Sequence, residues 1–234
     1  MKKLIALFLV LIMVFSLCSC QGKLSAEERN AANEIIEKLD TVYTTHQNAN
    51  EDVLTANTLT SSTGYNTNLT ALTSQFKYIS HDEFVEALAT VIALLTEEQG
   101  GDADTAYATC MAMEDPSEML SLFDESYIPT ACGMAIQAHA SVLSGTDELL
   151  EQAKSDLEAF AEKYPDSEIL ASLEAYCKAV TSFNGYCGEY AFLITDSAAS
   201  EIRILESICE TAKTMLDGSD SKLPDNAQLV NPTK

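Results

Sequence analysis

Apolar residues recur at spacings of three and four along nearly every long stretch of the chain, and the stretches begin and end at recognisable signals. Ser25-x-x-Glu28 is a capping box; Ile35, Ile36, Leu39, Val42 and Tyr43 follow on one face, predicting a helix from about Ala26 to Thr45. Between Gln47 and Tyr78 the composition shifts to Asn, Thr and Ser, so 47–66 is expected to be less ordered, with "TLTSSTGYNTN" its least structured part; Leu69, Leu72 and Phe76 permit a short helix. Ser80 and Glu83 form a second capping box, and Ile79 with Phe84 fills the two positions of a hydrophobic staple. Phe84, Leu88, Val91 and Leu95 then repeat until Gly100-Gly101 stops the helix. Asp102 or Asp104 caps a short helix through Met113, and Asp115-Pro116-Ser117-Glu118 opens another.

From Pro129 the pattern is regular. Cys132, Ala135, Ile136, His139, Val142 and Leu143 share a face up to Gly145, and Leu149, Leu150, Ala153, Leu157, Phe160 and Tyr164 share the next up to Pro165. Leu170, Leu173, Tyr176, Cys177, Val180 and Phe183 form a third stripe up to Gly185. A last helical region runs from about Tyr186 to Leu216, with a break allowed near Thr195-Asp196. Its buried stripe is Ile202, Leu205, Ile208, Cys209, Ala212 and Met215. No segment carries the period-two alternation of a strand, and short turns fold neighbouring helices back on each other. The expected fold is all-α, a multi-helix bundle or irregular array of antiparallel helix hairpins. A helical domain over 25–217 is followed by a flexible tail, 218–234.

The first residues follow a different logic. Met1-Lys2-Lys3 is a small positive region, and Leu4 to Phe15 is an apolar run of 12 residues, short of the ~20 a helix needs to cross a bilayer. It reads as a signal peptide over residues 1–19, with 20–24 a short linker. Leu17-Cys18-Ser19-Cys20 resembles the lipobox of bacterial lipoproteins, with a leucine three positions before the modified cysteine and small residues between. Cleavage before Cys18 would place Leu17 and Phe15 where small residues are preferred, so Cys20 is the expected lipid-attachment residue. The resemblance implies a diacylglyceryl group on the Cys20 thiol and a cell-membrane location facing outside the cytoplasm. Two acyl chains, at ~0.8 kcal/mol per buried methylene, hold a protein on a membrane far better than one.

A second resemblance covers about 20 residues. "FAEKYPDSEILASLEAYCKA", Phe160 to Ala179, looks like a helix turn of tetratricopeptide-type lipoproteins, in which a tyrosine-proline pair closes one helix and an acid-small pair opens the next. The implied alternative is a tetratricopeptide-like α-solenoid, but the signature does not recur at the ~34-residue period such repeats need.

Counted from Cys20, the chain has 215 residues with 11 basic and 36 acidic side chains, a formal charge of −25. That charge repels phosphate backbones and anionic lipid, so no nucleic-acid partner is expected and only the anchor should touch the membrane. Five cysteines follow Cys20: Cys110, Cys132, Cys177, Cys187 and Cys209. They fall at apolar helical positions, where cysteine behaves as a small hydrophobe. A Cys177–Cys187 bridge would need the chain to turn at Asn184-Gly185, because ten residues of unbroken helix separate them by ~15 Å.

Catalytic and cofactor signatures are missing. His46, His81 and His139 have no second histidine at helical spacing, and His139 on its apolar face reads as a hydrogen-bonded core residue. HExxH, CxxC and GxSxG are absent. Asp102 to Met113 starts like a calcium loop but lacks its glycine and closing glutamate, and "DGSDSKLPD" puts Lys222 where that glycine belongs. "EEQGGDAD" offers at most a weak cation site, and Gly100-Gly101 follows a helix, unlike a phosphate cradle. Tyr164, Tyr176, Tyr186 and Tyr190 read as core and rim sooner than as a binding groove. The expectation is therefore no enzyme, no metal and no cofactor: a lipid-anchored structural or protein-interaction module with an acidic surface and a protein or cell-wall partner. The alternative is a ligand-binding lipoprotein for a cationic peptide, a cation or another small solute.

Overall fold

Capping chemistry sets the helix starts. In the structure, a computed structural model describing residues 24–63, 69–113, 127–193 and 195–220, the Glu28 amide donates to Ser25 Oγ (3.1 Å) and the Ser25 amide to Glu28 Oε2 (3.3 Å), opening α1, Ala26–Thr63. A short α2, Leu69–Thr73, leads to the Ser80–Glu83 capping box and α3, His81–Glu98. Gly100, at φ +81°, ends α3 in the left-handed conformation that only glycine adopts without strain. The Asp102 carboxylate accepts from the amides of Asp104 and Thr105 and starts α4, Ala103–Ala112.

The remaining helices are α5, Tyr127–Ala138, which continues into a π turn at His139–Leu143, then α6, Thr146–Lys163, α7, Leu170–Tyr190, and α8, Asp196–Asp220. A 3-10 turn at Ala191–Leu193 separates the last two, and the Thr195 hydroxyl accepts from the Ala198 amide (3.1 Å) at the start of α8. All regular structure among the described residues is helical, so the fold is all-α as the periodicity predicts. The break near Thr195-Asp196 falls where it was allowed. The signal peptide, Cys20, the 115–118 helix start and the tail from 221 lie outside the described residues.

The chain divides into two compact units. Unit 1 comprises Met1–Asp40, Glu148–Phe183 and Ile204–Lys234; unit 2 comprises Thr41–Asp147 and Asn184–Arg203. Unit 2 has its core on the predicted α3 stripe: Phe84, Leu88, Val91 and Ile92 cluster with Cys110 of α4, Ala131, Cys132, Ala135 and Ile136 of α5, and Ala49, Val53 and Ala56 of α1. Each large apolar side chain fully buried there contributes ~1.5–3 kcal/mol. Ile79 is buried beside Phe84 as the staple requires, and Phe76 meets Phe84 edge to face at 5.1 Å. Gly133 admits the 3-10 turn: a Cβ there would stand 2.9 Å from the Phe192 carbonyl oxygen.

Unit 1 buries Ile35 and Leu39, then Leu150, Ala153 and Phe160, then Leu173, Tyr176, Val180 and Phe183, then Leu205, Ile208, Cys209 and Ala212. Polar contacts join its helices side to side. Asp40 of α1 accepts from the Tyr176 hydroxyl of α7 (2.5 Å) and from Lys213 Nζ of α8 (2.9 Å), while Lys38 of α1 meets Asp156 of α6 at 2.8 Å.

Three expectations are corrected. The first helix does not stop at Thr45 but runs on to Thr63, through most of the 47–66 segment expected to be less ordered. Ala49, Val53 and Ala56 supply a narrow buried stripe, and the hydroxyls of Thr55, Thr58 and Thr60 donate to carbonyls four residues back instead of competing with the helix. Val142 is 75% exposed, not core, because the π turn from His139 underwinds the helix and rotates it off the α5 face. Helix α7 passes through Gly185, where a break was expected. One mid-helix glycine costs only ~1 kcal/mol, and Asn184 is tied by its side chain on both sides.

All five described cysteines are buried, as their positions predict. With α7 unbroken, Cys177 and Cys187 do not bridge to one another. Burial pushes the Cys132 thiol up to about 12, and burial raises Cys110 and Cys177 as well. Thiols held this way are poor nucleophiles.

Candidate functional site: a polar cleft in unit 2

Unit 2 handles its buried polar groups without cations. His46 is fully buried on α1, and its Nε2 donates to Asn184 Oδ1 at 2.8 Å. Asn184 is held in that orientation because its Nδ2 donates to Asp147 Oδ1 at 2.9 Å. On the other side of the ring, Nδ1 lies 3.3 Å from Gln137 Oε1. Gln137 Nε2 donates to Asn50 Oδ1 (2.7 Å), and Asn50 Nδ2 reaches Cys187 Sγ (3.5 Å). The chain runs α7, α1, α5, α1, α7 and leaves little of these side chains to water. A neutral imidazole has one N–H, so with Nε2 donating to Asn184 the approach of Nδ1 to Gln137 Oε1 sets two acceptors side by side and is a contact, not a hydrogen bond.

Asp52, two residues beyond Asn50 on α1, is 1% exposed and solves a different problem. Its carboxylate accepts the amides of Lys77 (2.7 Å), Tyr78 (2.9 Å) and Ile79 (2.9 Å), pinning the segment that leads into α3. No described lysine, arginine or histidine forms an ion pair with it.

A half-open cleft of about 210 Å³ lies against Asp52. Thr45, Asn48, Ala49 and Asp52 of α1 form one wall, Tyr78 and Ile79 a second, and Ile136, His139, Ala140 and Ser144 a third. His139 opens the π turn, so the irregular helical segment and the cleft coincide. Its side chain is 16% exposed; Nε2 stands 3.7 Å from Glu83 Oε1, and Nδ1 is buried with no partner in the protein. The core-histidine expectation, made for His139, therefore fails: His139 is left half satisfied at a cavity wall, and the fully buried histidine is His46. Glu83 is itself engaged: bonds from the Ser80 hydroxyl and amide hold its carboxyl below the usual range, with His139 adding a smaller pull.

The other sequence candidates disperse. His81 Nδ1 meets the Thr73 hydroxyl at 2.8 Å. Asp102 is a helix cap, as the failed calcium loop suggests, and among the described residues no group of three or more His, Cys, Asp or Glu is placed to hold a metal. Tyr176 is core, Tyr164 packs on Phe160 at 5.1 Å, and Tyr186 packs on Tyr190 at 5.2 Å. Asn48, Asp52, Tyr78 and Ser144 escaped the sequence reading. One signal was present: Asp52 falls among Ala49, Val53 and Ala56, an acid on a buried stripe.

Charge is unevenly shared. Unit 2 carries 18 Asp and Glu against 2 Lys and Arg, whereas unit 1, from Cys20 onward, carries 18 against 9. The only lysine of unit 2, Lys77, is taken up by Glu51 at 3.1 Å and lies over the Tyr78 ring. No described helix is long and apolar enough to cross a membrane. No family, no curated protein and no solved structure matches the chain.

Proposed function

We propose that the chain is a lipid-anchored protein-interaction module, tethered outside the cytoplasm through Cys20 and presenting the acidic surface of unit 2 to a basic partner in the envelope. The observation that carries the reading is the surplus of 16 acids over bases in unit 2, with its single lysine already neutralised by Glu51. Nothing within that unit balances the rest, so a cationic protein face or a basic cell-wall component gains Coulomb energy that the protein cannot supply to itself. The lipobox resemblance supports the anchor.

Two measurements test this. Fatty-acid labelling should vanish in Cys20→Ala and persist in Cys18→Ala. Crosslinking of the anchored protein in native membranes should give discrete adducts that weaken with salt and disappear when exposed unit 2 acids (Glu86, Glu97, Glu98, Asp104) become amides. Adducts indifferent to both salt and neutralisation would reject the acidic surface as the recognition element.

A further inference from the structure

We infer that the unit 2 cleft is a binding site for a small primary ammonium compound, of up to about ten non-hydrogen atoms, with Asp52 and His139 as its recognition groups. The reasoning begins with size: 210 Å³ exceeds the roughly 150 Å³ apolar cavity that takes benzene. The cleft is too polar to be a packing defect of that kind, because a carboxylate, an imidazole, an amide and three hydroxyl-bearing residues line it together.

The sign of the ligand follows from the wall. Asp52 is buried, negative and accepts three backbone amides, which leaves about one of its four lone-pair positions open. No cationic lysine or arginine lines the cleft. His139 turns Nε2 towards the Glu83 carboxylate, so in the neutral ring Nε2 carries the proton and Nδ1 is a bare acceptor. A buried acceptor without a donor is a standing penalty unless something occupies the cleft. Asn48 and Thr45 add further oxygen acceptors along α1. An ammonium has three N–H donors and no acceptor, which matches this set. An anion would meet Asp52 at close range inside a unit of formal charge −16.

A second observation points the same way. The π turn begins at His139 and supplies both His139 and Ala140 to the cleft, while it throws Val142 out to solvent. π turns are rare inside α-helices and frequently mark functional sites. Here the irregularity starts at the histidine that lines the cleft together with Asp52. The site and the acidic interaction surface are separate claims, and either can fail without the other.

The test uses the full chain with n-butylammonium chloride as probe, n-butanol as the neutral isostere and butyrate as the anion. Histidine ring NMR, with His139 assigned by its loss in His139→Phe, is read beside the thermal midpoint. Butylammonium should shift the His139 resonances saturably and raise the midpoint, while butanol and butyrate do neither. His139→Phe should weaken binding at least about tenfold, with partial recovery in His139→Gln, which restores an acceptor. Ala140→Leu, which fills the cleft, should abolish binding and leave the helical circular dichroism intact. The inference is overturned if butanol acts as strongly as butylammonium, if His139→Phe binds undiminished, as loose counter-ion attraction to the acidic surface would, or if tens of millimolar butylammonium leaves the His139 signals unmoved.

Discussion

Unit 1 and unit 2 are both helical and both bury polar side chains, yet they quiet those groups by opposite means. Unit 1 uses opposite charges between helices, with Lys213 on Asp40 and Lys38 on Asp156 at partly exposed positions, and the buried Tyr176 donating its hydroxyl to Asp40. Unit 2, with one lysine in its long segment, uses neutral amides around His46 and backbone amides around Asp52. The difference teaches that an acid-rich helical protein keeps a buried carboxylate without a cation when the backbone itself presents donors.

If that contrast is right, its two halves should respond very differently to mutation. The largest loss is expected for Asp52→Ala in unit 2, which strands three backbone amides of the segment before α3 and should cost on the order of 3 kcal/mol or more in urea unfolding. A cost below 1 kcal/mol would show that water replaces the carboxylate, and the backbone-donor account would fail.

An intermediate effect belongs to the α3 cap. Ser80→Ala should cost about 1 kcal/mol. Because Ser80 holds the Glu83 carboxyl below its ordinary value of 4.5, the wild-type cap contributes stability above about pH 4.5 that fades as pH falls through the lower folded value. Ser80→Ala should therefore be less acid-sensitive over that range, and an unchanged pH profile would remove Glu83 from the cap's energetics. The smallest effect is expected in unit 1, where Lys213→Gln breaks a one-third-exposed pair and should cost about 0.5 kcal/mol, shrinking in salt. A loss as large as that of Asp52→Ala would erase the distinction between the units.

Much of this architecture can be read from the chain. Ser25, Ser80 and Asp102 announce helix starts through short-range chemistry, and Phe84, Leu88 and Val91 declare a core face by spacing alone. What escapes is whatever depends on distant partners. The Thr-rich second half of α1 looks unstructured by composition because its stripe is made of small residues, and its hydroxyls reveal their role only once the helix exists. Asn184-Gly185 looks like a turn until His46 and Asp147, more than 35 residues away, hold the asparagine inside a helix. The cleft is the extreme case, since three segments from residue 45 to residue 144 build it and a π turn that no periodicity foretells supplies part of one wall.

The division of the chain also bears on the order of events during synthesis. Nearly all of the unit 2 hydrophobic cluster lies between residues 49 and 140, one continuous stretch, whereas unit 1 draws on three stretches that span the whole chain. A polypeptide emerging amino end first therefore has the first of these kernels in hand long before α8 arrives to complete the other. The opening half of α1 has to wait, through most of translation, with its apolar stripe uncovered, and that interval is where a holding factor would matter most.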